Sequence, residues 1–296
     1  MRTQFMNAIK MVSLVIMVLL VQIGFAQQSA IFGKLDAKPS PNLTETGPIL
    51  WNQFDEPGTG FIVSQEFTNP GNETETSIAA DDFYVPEGES WTIGSIAFVG
   101  SFFDLGVGPA EAFNLVFYDD APDMPGSEIA EFYDLTGFTY EEENINGYTV
   151  VTYSMKLPTN LSLDEGHYWM SVQAKGSFLE MGKWGWNDYW AGSQPSLENH
   201  WHWKNPLDGL ATGYTEWTPA ITVAAIFLQY DLTFALYEPA FENDMAVYEF
   251  VSPITGEGLT AAEEVTIKIR NEGTIPQTGF DLKYVFNGVE VIENIG

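Results

Sequence analysis

The sequence contains no cysteine. This absence excludes disulfide bonds, thiol chemistry and cysteine-ligated metal sites. A chain of 296 residues can nevertheless bury a large core without covalent cross-links. Its stability must therefore come mainly from the burial of apolar side chains.

Basic side chains are scarce. The chain has 11 Lys and Arg against 41 Asp and Glu, a formal net charge of -30, and no Lys or Arg between Lys38 and Lys156. Binding to nucleic acid or to an anionic membrane requires basic side chains, so the composition argues against both partners. The acidic surface indicates a soluble protein, a saline medium that screens the charge, or bound calcium.

Long apolar runs are absent after the amino terminus. There, Arg2 and Lys10 precede an apolar run from Met11 to Phe25 that small residues close. This pattern predicts a signal peptide at 1–26, although a membrane anchor is the alternative. We therefore expect a polar lead-in at 27–48 and a secreted or cell-surface protein with no integral membrane segment after signal removal.

Convincing helical periodicity is also absent. Short runs rich in aromatic and β-branched residues alternate instead with turn residues, and Phe113, Leu115 and Phe117 share one face, as do Tyr168, Met170 and Val172. The pattern predicts an all-β, antiparallel sandwich or barrel. The predicted strands are Ile49–Phe54, Gly60–Phe67, Ile78–Val85, Trp91–Gly100, Ala112–Tyr118, Glu128–Tyr133, Tyr148–Leu157, His167–Ala174, Ile221–Phe227 and Tyr230–Tyr237.

The pattern breaks after Glu238, which predicts two domains. We expect a β-sandwich at 49–238, a linker at 239–243 and a second, immunoglobulin-like unit at 244–296. Only about four strands are expected in the second unit, whereas an immunoglobulin-like sandwich needs about seven. We therefore expect either a fragment of a longer protein or completion of the terminal sheet by another chain.

Several short motifs resemble known secreted modules. Ala80–Pro86, Trp91–Ile93, Phe117–Asp120, Leu163–Trp169 and Asp231–Phe234 occur in an order similar to a jelly-roll-like β-sandwich module of secreted bacterial proteins. The segments Asn243–Val247, Glu264–Gly273 and Gly279–Gly288 resemble a bacterial cell-adhesion-related immunoglobulin-like domain of the CARDB type. The resemblance implies a secreted protein with an adhesion-related second unit.

Six of the nine tryptophans lie between Gly182 and Trp217, among glycines, prolines and amides. This composition predicts long loops that carry large rings, either as a lid over the core or as a platform for a ligand. Sugar rings stack on exposed indoles, and amides and carboxylates bind their hydroxyls. The predicted ligand-binding residues are therefore Trp184, Trp186, Asn187, Asp188, Trp190, Trp201 and Trp203.

Two groups of residues are candidate metal ligands. In an extended segment His200 and His202 would share one face, which supplies half of a metal site, or they are histidines that hydrogen-bond to their neighbours. Asp119, Asp120 and Asp123 lie in a Pro-rich turn and could bind structural calcium, or they cap the turn. Asp81 and Asp82 pose the same choice.

Catalytic motifs are absent from the sequence: it has no G-x-S-x-G, no H-E-x-x-H and no phosphate-binding glycine loop. A glycosidase needs only two carboxylates, which the sequence cannot locate. Glu141–Glu143 is expected to be a solvated loop. We predict a non-catalytic extracellular recognition or adhesion protein with a glycan or a surface protein as partner. The alternatives are an accessory region of a secreted hydrolase and a structural stalk without a ligand.

Overall fold

The computed structural model describes residues 31–41, 47–104, 108–190, 200–224, 231–240, 245–252, 265–271, 277–286 and 289–295. The predicted signal peptide lies outside these residues. The described part of the chain up to Tyr237 forms one compact unit, apart from Gly47 and Pro48, which group with the second unit that starts at Glu238. Within the described residues no helix is long and apolar enough to span a membrane.

The fold is all-β, as the sequence predicts. The strands of the first unit are β1 (Phe32–Lys34), β2 (Ile49–Gln53), β3 (Pro57–Val63), β4 (Gln65–Phe67), β5 (Ile78–Phe103), β6 (Ala112–Ala121), β7 (Met124–Leu135), β8 (Phe138–Ile145), β9 (Tyr148–Gly176), β10 (Lys183–Tyr189), β11 (His202–Lys204), β12 (Thr218–Pro219), β13 (Asp231–Leu232) and β14 (Phe234–Tyr237). Two short helices, α1 (Phe178–Met181) and α2 (Ala220–Ala224), complete its regular structure together with a 3₁₀ turn, Glu73–Glu75.

Two very long strands organise the first unit. β5 has 26 residues and β9 has 29, and they pair antiparallel from Ala79↔Val172 to Phe102↔Thr149. The register shifts between Val85 and Ser90, where Gly88 has a φ of 79°, and we call this irregularity of the two strands the bend. Each strand therefore combines two strands that the sequence predicts separately. From its composition, Leu163-Asp164-Glu165-Gly166 is predicted to be a tight turn that leads into the next strand; this prediction is wrong, because the four residues lie within β9.

The bend divides the sheet into two layers. The first layer contains residues 78–85 of β5 and 166–176 of β9, flanked by β6, β7, β4, β11 and β12. The second contains residues 90–103 of β5 and 148–164 of β9, flanked by β8, β10 and β14; β3, β1, β13 and β2 extend it. All pairings in the first unit are antiparallel except β4 with β9.

Aromatic rings fill the space between the layers. The ring centroid of Phe113 in β6 lies 5.0 Å from that of Phe98 in β5 and 5.4 Å from that of Trp184 in β10. Phe83 of the first layer lies 6.4 Å from Phe234 of the second. These contacts place the core face to face between the layers of a sandwich. The jelly-roll detail stays a prediction.

The predicted alternation is confirmed where it was clearest. Phe113, Leu115 and Phe117 are fully buried, and Met170 and Val172 lie in the same core. Two local predictions are wrong. Ile221 begins no strand, because Ala220–Ala224 is helical; residues 225–227 lie outside the described residues. Glu141–Glu143 is not a loop but part of β8, whose register with β9 follows from the Asn146-Gly147 turn, both at positive φ.

The second unit contains two separate hairpins. β15 (Met245–Ser252) pairs with β16 (Thr266–Asn271), and β17 (Phe280–Phe286) pairs with β18 (Val289–Ile295), all antiparallel. The four strands agree with the number expected from the sequence for the described part of the unit. The CARDB-type assignment stays a prediction.

Candidate functional site

Four of the five predicted stacking tryptophans are buried. Trp184, Trp186, Trp201 and Trp203 each have 0% relative exposure. The prediction that they present stacking faces is corrected, because a ring with no exposed surface cannot stack on a sugar. The loop prediction is wrong for β10 and β11 and confirmed for residues 205–217, which contain no helix or strand; residues 191–199 lie outside the described residues.

The position of β10 explains this burial. The strand pairs with β3 and β5 along its two edges, and residues 183–188 are all buried, so both of its faces are covered. The indole nitrogen of Trp186 donates to the Thr233 carbonyl at 2.7 Å, and that of Trp203 donates to the Val63 carbonyl at 2.7 Å. The polar atom of each ring is thus satisfied inside the core.

Asn187 and Asp188 hold the sheet together and face no solvent. Their exposures are 0% and 2%. Asn187 Oδ1 accepts a hydrogen bond from the Ser101 hydroxyl at 2.7 Å, and Asp188 Oδ1 accepts one from the Gly60 amide at 2.8 Å. A Cβ at Gly58 would lie 2.1 Å from Asp188 Oδ1, so this close approach requires glycine. The predicted contact of these two residues with ligand hydroxyls is therefore corrected as well.

Trp190 is the predicted platform residue that remains at the surface. It follows β10, and 43% of it is exposed. Lys38 Nζ lies 5.0 Å from the centre of the indole and 3.6 Å from Glu56 Oε2. The Trp190 amide donates to the Glu56 carbonyl at 2.9 Å, which fixes the backbone at this edge. We call Lys38, Asp55, Glu56, Tyr189 and Trp190 the Trp190 surface.

Tyr189 contributes a hydroxyl to the Trp190 surface. Its Oη donates to Asp55 Oδ1 at 3.2 Å. Burial, reinforced by the negative charge of Asp55, raises the pKa of Tyr189 to about 12. The phenol therefore stays protonated at neutral pH and remains a hydrogen-bond donor. The surface thus combines one exposed indole with a cation, two carboxylates and a hydroxyl.

The three histidines of the chain lie near one another on the outer face of the first layer. His167 Nε2 lies 2.8 Å from Asp82 Oδ2, and His167 Nδ1 lies 3.1 Å from Asp120 Oδ1. The imidazole also stacks on Tyr84, with 4.1 Å between the centroids. Since both ring nitrogens face carboxylate oxygens, both contacts are hydrogen bonds only when the imidazole is protonated.

His200 and His202 complete this group. His202 Nδ1 lies 2.9 Å from the His200 carbonyl oxygen, and its ring contacts the Trp169 indole edge-on at 5.0 Å. Burial lowers the pKa of both histidines. Among the described residues, no three His, Asp or Glu side chains are placed to hold a metal ion. The predicted half-site is therefore not completed by His167 in this arrangement.

The three aspartates of the predicted calcium site, Asp119, Asp120 and Asp123, lie in or next to the turn between β6 and β7. Asp119 Oδ1 accepts a hydrogen bond from the Ser127 amide, and Asp120 Oδ1 accepts one from the Trp169 indole at 2.9 Å. Asp123 occupies a left-handed turn position with φ of 64°. In the part of the chain that the structure describes these residues form no metal-binding group, so turn capping replaces the calcium prediction.

The sequence offered Asp81 only as a calcium ligand or a turn cap, and it did not predict that Asp81 forms a buried pair of carboxyl groups with Asp231. Asp81 and Asp231 have exposures of 0% and 2%, and the Oδ1 atom of each has no hydrogen-bond partner. The sequence contains one sign of this burial, the two-residue alternation of β5. Asp81 lies on the same face of the strand as Ala79, Phe83 and Val85, whose side chains are in the core.

No protein-family model, no curated protein and no solved structure matches the chain. The resemblance to secreted bacterial modules therefore rests on the sequence motifs alone.

Proposed function

We propose that the protein is an exported, non-catalytic recognition protein that binds a glycan through the Trp190 surface. The observation that carries this proposal is the 43% exposure of Trp190, in contrast to the 0% exposure of Trp184, Trp186, Trp201 and Trp203. An indole held at the end of a covered strand offers an apolar face to the C–H groups of a pyranose.

The polar groups of the Trp190 surface suit the rest of a sugar. Sugar hydroxyls can donate to the carboxylates of Asp55 and Glu56 and accept from the Lys38 ammonium. The side chains of Lys38 and Glu56 are 45% and 61% exposed, so both can reach a ligand. The net charge of -30 disfavours polyanionic glycans, so we expect a neutral sugar or an amino sugar.

Export and a role at the cell surface are part of the same proposal. The amino-terminal pattern at 1–26 is typical of a signal peptide, and the absence of cysteine makes folding independent of the redox compartment. The resemblance of the second unit to adhesion-related domains favours recognition over catalysis.

A glycan array with the purified full chain tests the proposal. We expect the wild type to bind a set of neutral or amino sugars and Trp190→Ala to lose at least about tenfold in affinity, the effect of losing one stacked ring. Trp217→Ala is the matched control, because Trp217 lies partly exposed against Tyr118 and Lys204 elsewhere on the unit. Equal binding by the wild type and Trp190→Ala would contradict the proposal.

The second candidate function is a structural stalk without a ligand. The burial of Trp184, Trp186, Trp201 and Trp203 favours it, since these rings stabilise a sandwich and touch no ligand. This candidate predicts no binding anywhere on the array, together with a correctly folded wild type. A substitution of Trp186 or Trp203 cannot separate the two functions, because it removes core packing in both.

A further inference from the structure

Asp81 and Asp231 lie in different layers of the sandwich, and the charge of Asp231 acts on the Asp81 carboxyl group. Asp81 belongs to the first-layer part of β5, whereas Asp231 is in β13, which pairs with β10 of the second layer. Asp81 Oδ2 accepts a hydrogen bond from the Leu232 amide at 2.7 Å. This bond joins the layers directly beside the second carboxyl group. We call Asp81 and Asp231 the interlayer carboxyl pair.

The surroundings of the pair hold almost no positive charge. Asp82 is next to Asp81 on β5 and acts electrostatically on both members, and Tyr189 on β10 is close enough to feel the charge of Asp231. Gln53 on β2 donates its amide to Asp231, since its carbonyl oxygen accepts from the Trp51 indole at 2.7 Å. Beyond Asp82 lie His167 on β9, Asp120 on β6 and His200.

His167 contacts Asp82 and Asp120 on the outer face, and its ion-pair contacts do not include the pair. Among the described residues no ion pair includes Asp81 or Asp231. Two ionised carboxylates buried without a cation are strongly unfavourable. A proton on one of them removes a charge and supplies a donor, which the two unpartnered Oδ1 atoms lack when both groups are ionised.

We propose that the interlayer carboxyl pair holds a proton at neutral pH and is a proton-dependent clasp between the two layers, which weakens as the pH rises. A proton on one member leaves the pair with a single negative charge, while Asp81 Oδ2 keeps the hydrogen bond from the Leu232 amide. The opening step is the loss of that proton to solvent and leaves two buried negative charges that push the layers apart.

The ionisation of the two groups supports the clasp. Burial raises the pKa of Asp81 well above its ordinary value, and the charges of Asp231 and Asp82 add to this increase. Burial and the charge of Asp82 raise the pKa of Asp231 to about 7, against the opposing effect of Gln53. Because both values rise on folding, the folded protein binds more protons than the unfolded one. The contribution of the pair to the free energy of unfolding is therefore fully present below about pH 4, and it decreases as the pH rises toward 7 and beyond.

Thermal unfolding of the full chain between pH 5 and 8, followed by tryptophan fluorescence, tests the clasp. We expect the midpoint of the wild type to fall by about 5 to 10 °C over this range. Asp231→Asn should reduce that fall by more than about half and raise the midpoint at pH 8, because the amide carries no charge. Glu141→Gln removes an exposed carboxylate of β8 and is the matched control, with an unchanged slope. The measurements are made in about 1 M NaCl, which screens the repulsion among the acidic side chains of the surface.

Carbon-13 NMR of the aspartate carboxyl groups in the wild type gives a second measurement that needs no variant. We expect a carboxyl group that titrates near neutral pH, in agreement with the raised pKa of Asp231. Titration of every aspartate below about pH 5 would overturn the clasp. An Asp231→Asn midpoint at pH 8 below that of the wild type would also overturn it. So would calcium at pH 8 if it abolished the pH dependence, because a cation and not a proton would then join the pair.

Discussion

The two units of the chain use the same alternation of apolar and polar residues with different results. In the first unit the rings of Phe98, Phe113 and Tyr153 lie 4.6 to 5.3 Å apart and are completely buried. In the second unit Phe250 is 60% exposed and Val285 is 64% exposed. Each described sheet of the second unit has two strands.

The difference shows that alternation alone does not create a core. A strand buries its apolar face only when a second layer covers that face, and a two-stranded hairpin is marginally stable in water. The first unit meets this condition because β5 and β9 each contribute to both layers. The hairpins of the second unit have the same pattern without a described layer above them. Single substitutions should therefore act very differently in the two units.

The largest expected effect is that of Trp184→Ala. This side chain is completely buried against Phe98 and Phe113, so its removal should lower the free energy of unfolding by about 3–5 kcal/mol. Urea unfolding followed by tryptophan fluorescence measures this change in the first unit alone, since all nine tryptophans precede Tyr237.

The matched change in the second unit is Phe250→Ala. With 60% of this residue exposed, we expect a change of less than about 0.5 kcal/mol, measured by hydrogen exchange of the β15 and β16 amides. A loss as large as that of Trp184→Ala would show that the second unit has a core of its own, and the contrast between the units would fail.

An intermediate effect is expected when the contact between Asp82 and His167 is lost. Asp82 is completely buried with Oδ2 2.8 Å from His167 Nε2, so His167→Ala leaves a buried carboxyl group without this partner and should cost about 3 kcal/mol at pH 7. Burial already raises the pKa of Asp82, and loss of the imidazole, which lowers it, raises it further. The raised pKa means that the cost should shrink as the pH falls and the carboxyl group is protonated. Denaturation at pH 7 and pH 4 measures both values.

The corresponding pair in the second unit joins Lys268 to Glu249 at 2.7 Å, with side-chain exposures of 52% and 47%. Lys268→Met should cost less than about 0.5 kcal/mol, since water and salt screen an exposed pair. Equal costs for the two pairs would indicate that the burial of Asp82 contributes nothing to the strength of its contact with His167.

The smallest expected effect on stability is that of Trp190→Ala. The exposed indole contributes little to the core, so we expect a change within about 0.5 kcal/mol in urea unfolding. Acrylamide quenching should at the same time lose its most accessible component. A large loss of stability would show that Trp190 is a packing residue, and the separation between a buried group of tryptophans and one surface ring would then be wrong.

The all-β class was predictable because alternation is a local signal. Phe113, Leu115 and Phe117 predict a buried face from three residues alone, and the structure confirms it. The continuity of β5 was not predictable in this way. Pro86 and Gly88 are residues typical of turns, and β5 continues past them because Val85 pairs with the distant Gly166 and Ser90 with Asp164.

The prediction of exposed rings in the tryptophan-rich stretch was wrong for a related reason. Gly185 and the large rings beside it lack a two-residue alternation, because β10 is covered on both faces and has no polar side. A Cβ at Gly185 would lie 2.7 Å from the ring of Phe61, so the glycine that suggested a loop is required by close packing. Burial of the tryptophans, and with it the extent of the binding surface, depends on neighbours that the local sequence does not reveal.

The ladder between β5 and β9 also has a consequence for the order of events during folding. All of β6, β7 and β8 lies between β5 and β9 in the chain, so a long loop must close before these two strands pair with each other, whereas β9 pairs with β8 through a short turn. During synthesis, which begins at the amino terminus, β5 is made before β9. Its largely apolar residues and unpaired backbone groups therefore stay exposed until β9 is available for pairing. The segment between β5 and β9 has acidic residues and no basic ones. We expect the resulting repulsion between partly folded chains to disfavour pairing of an exposed β5 with another copy of the protein.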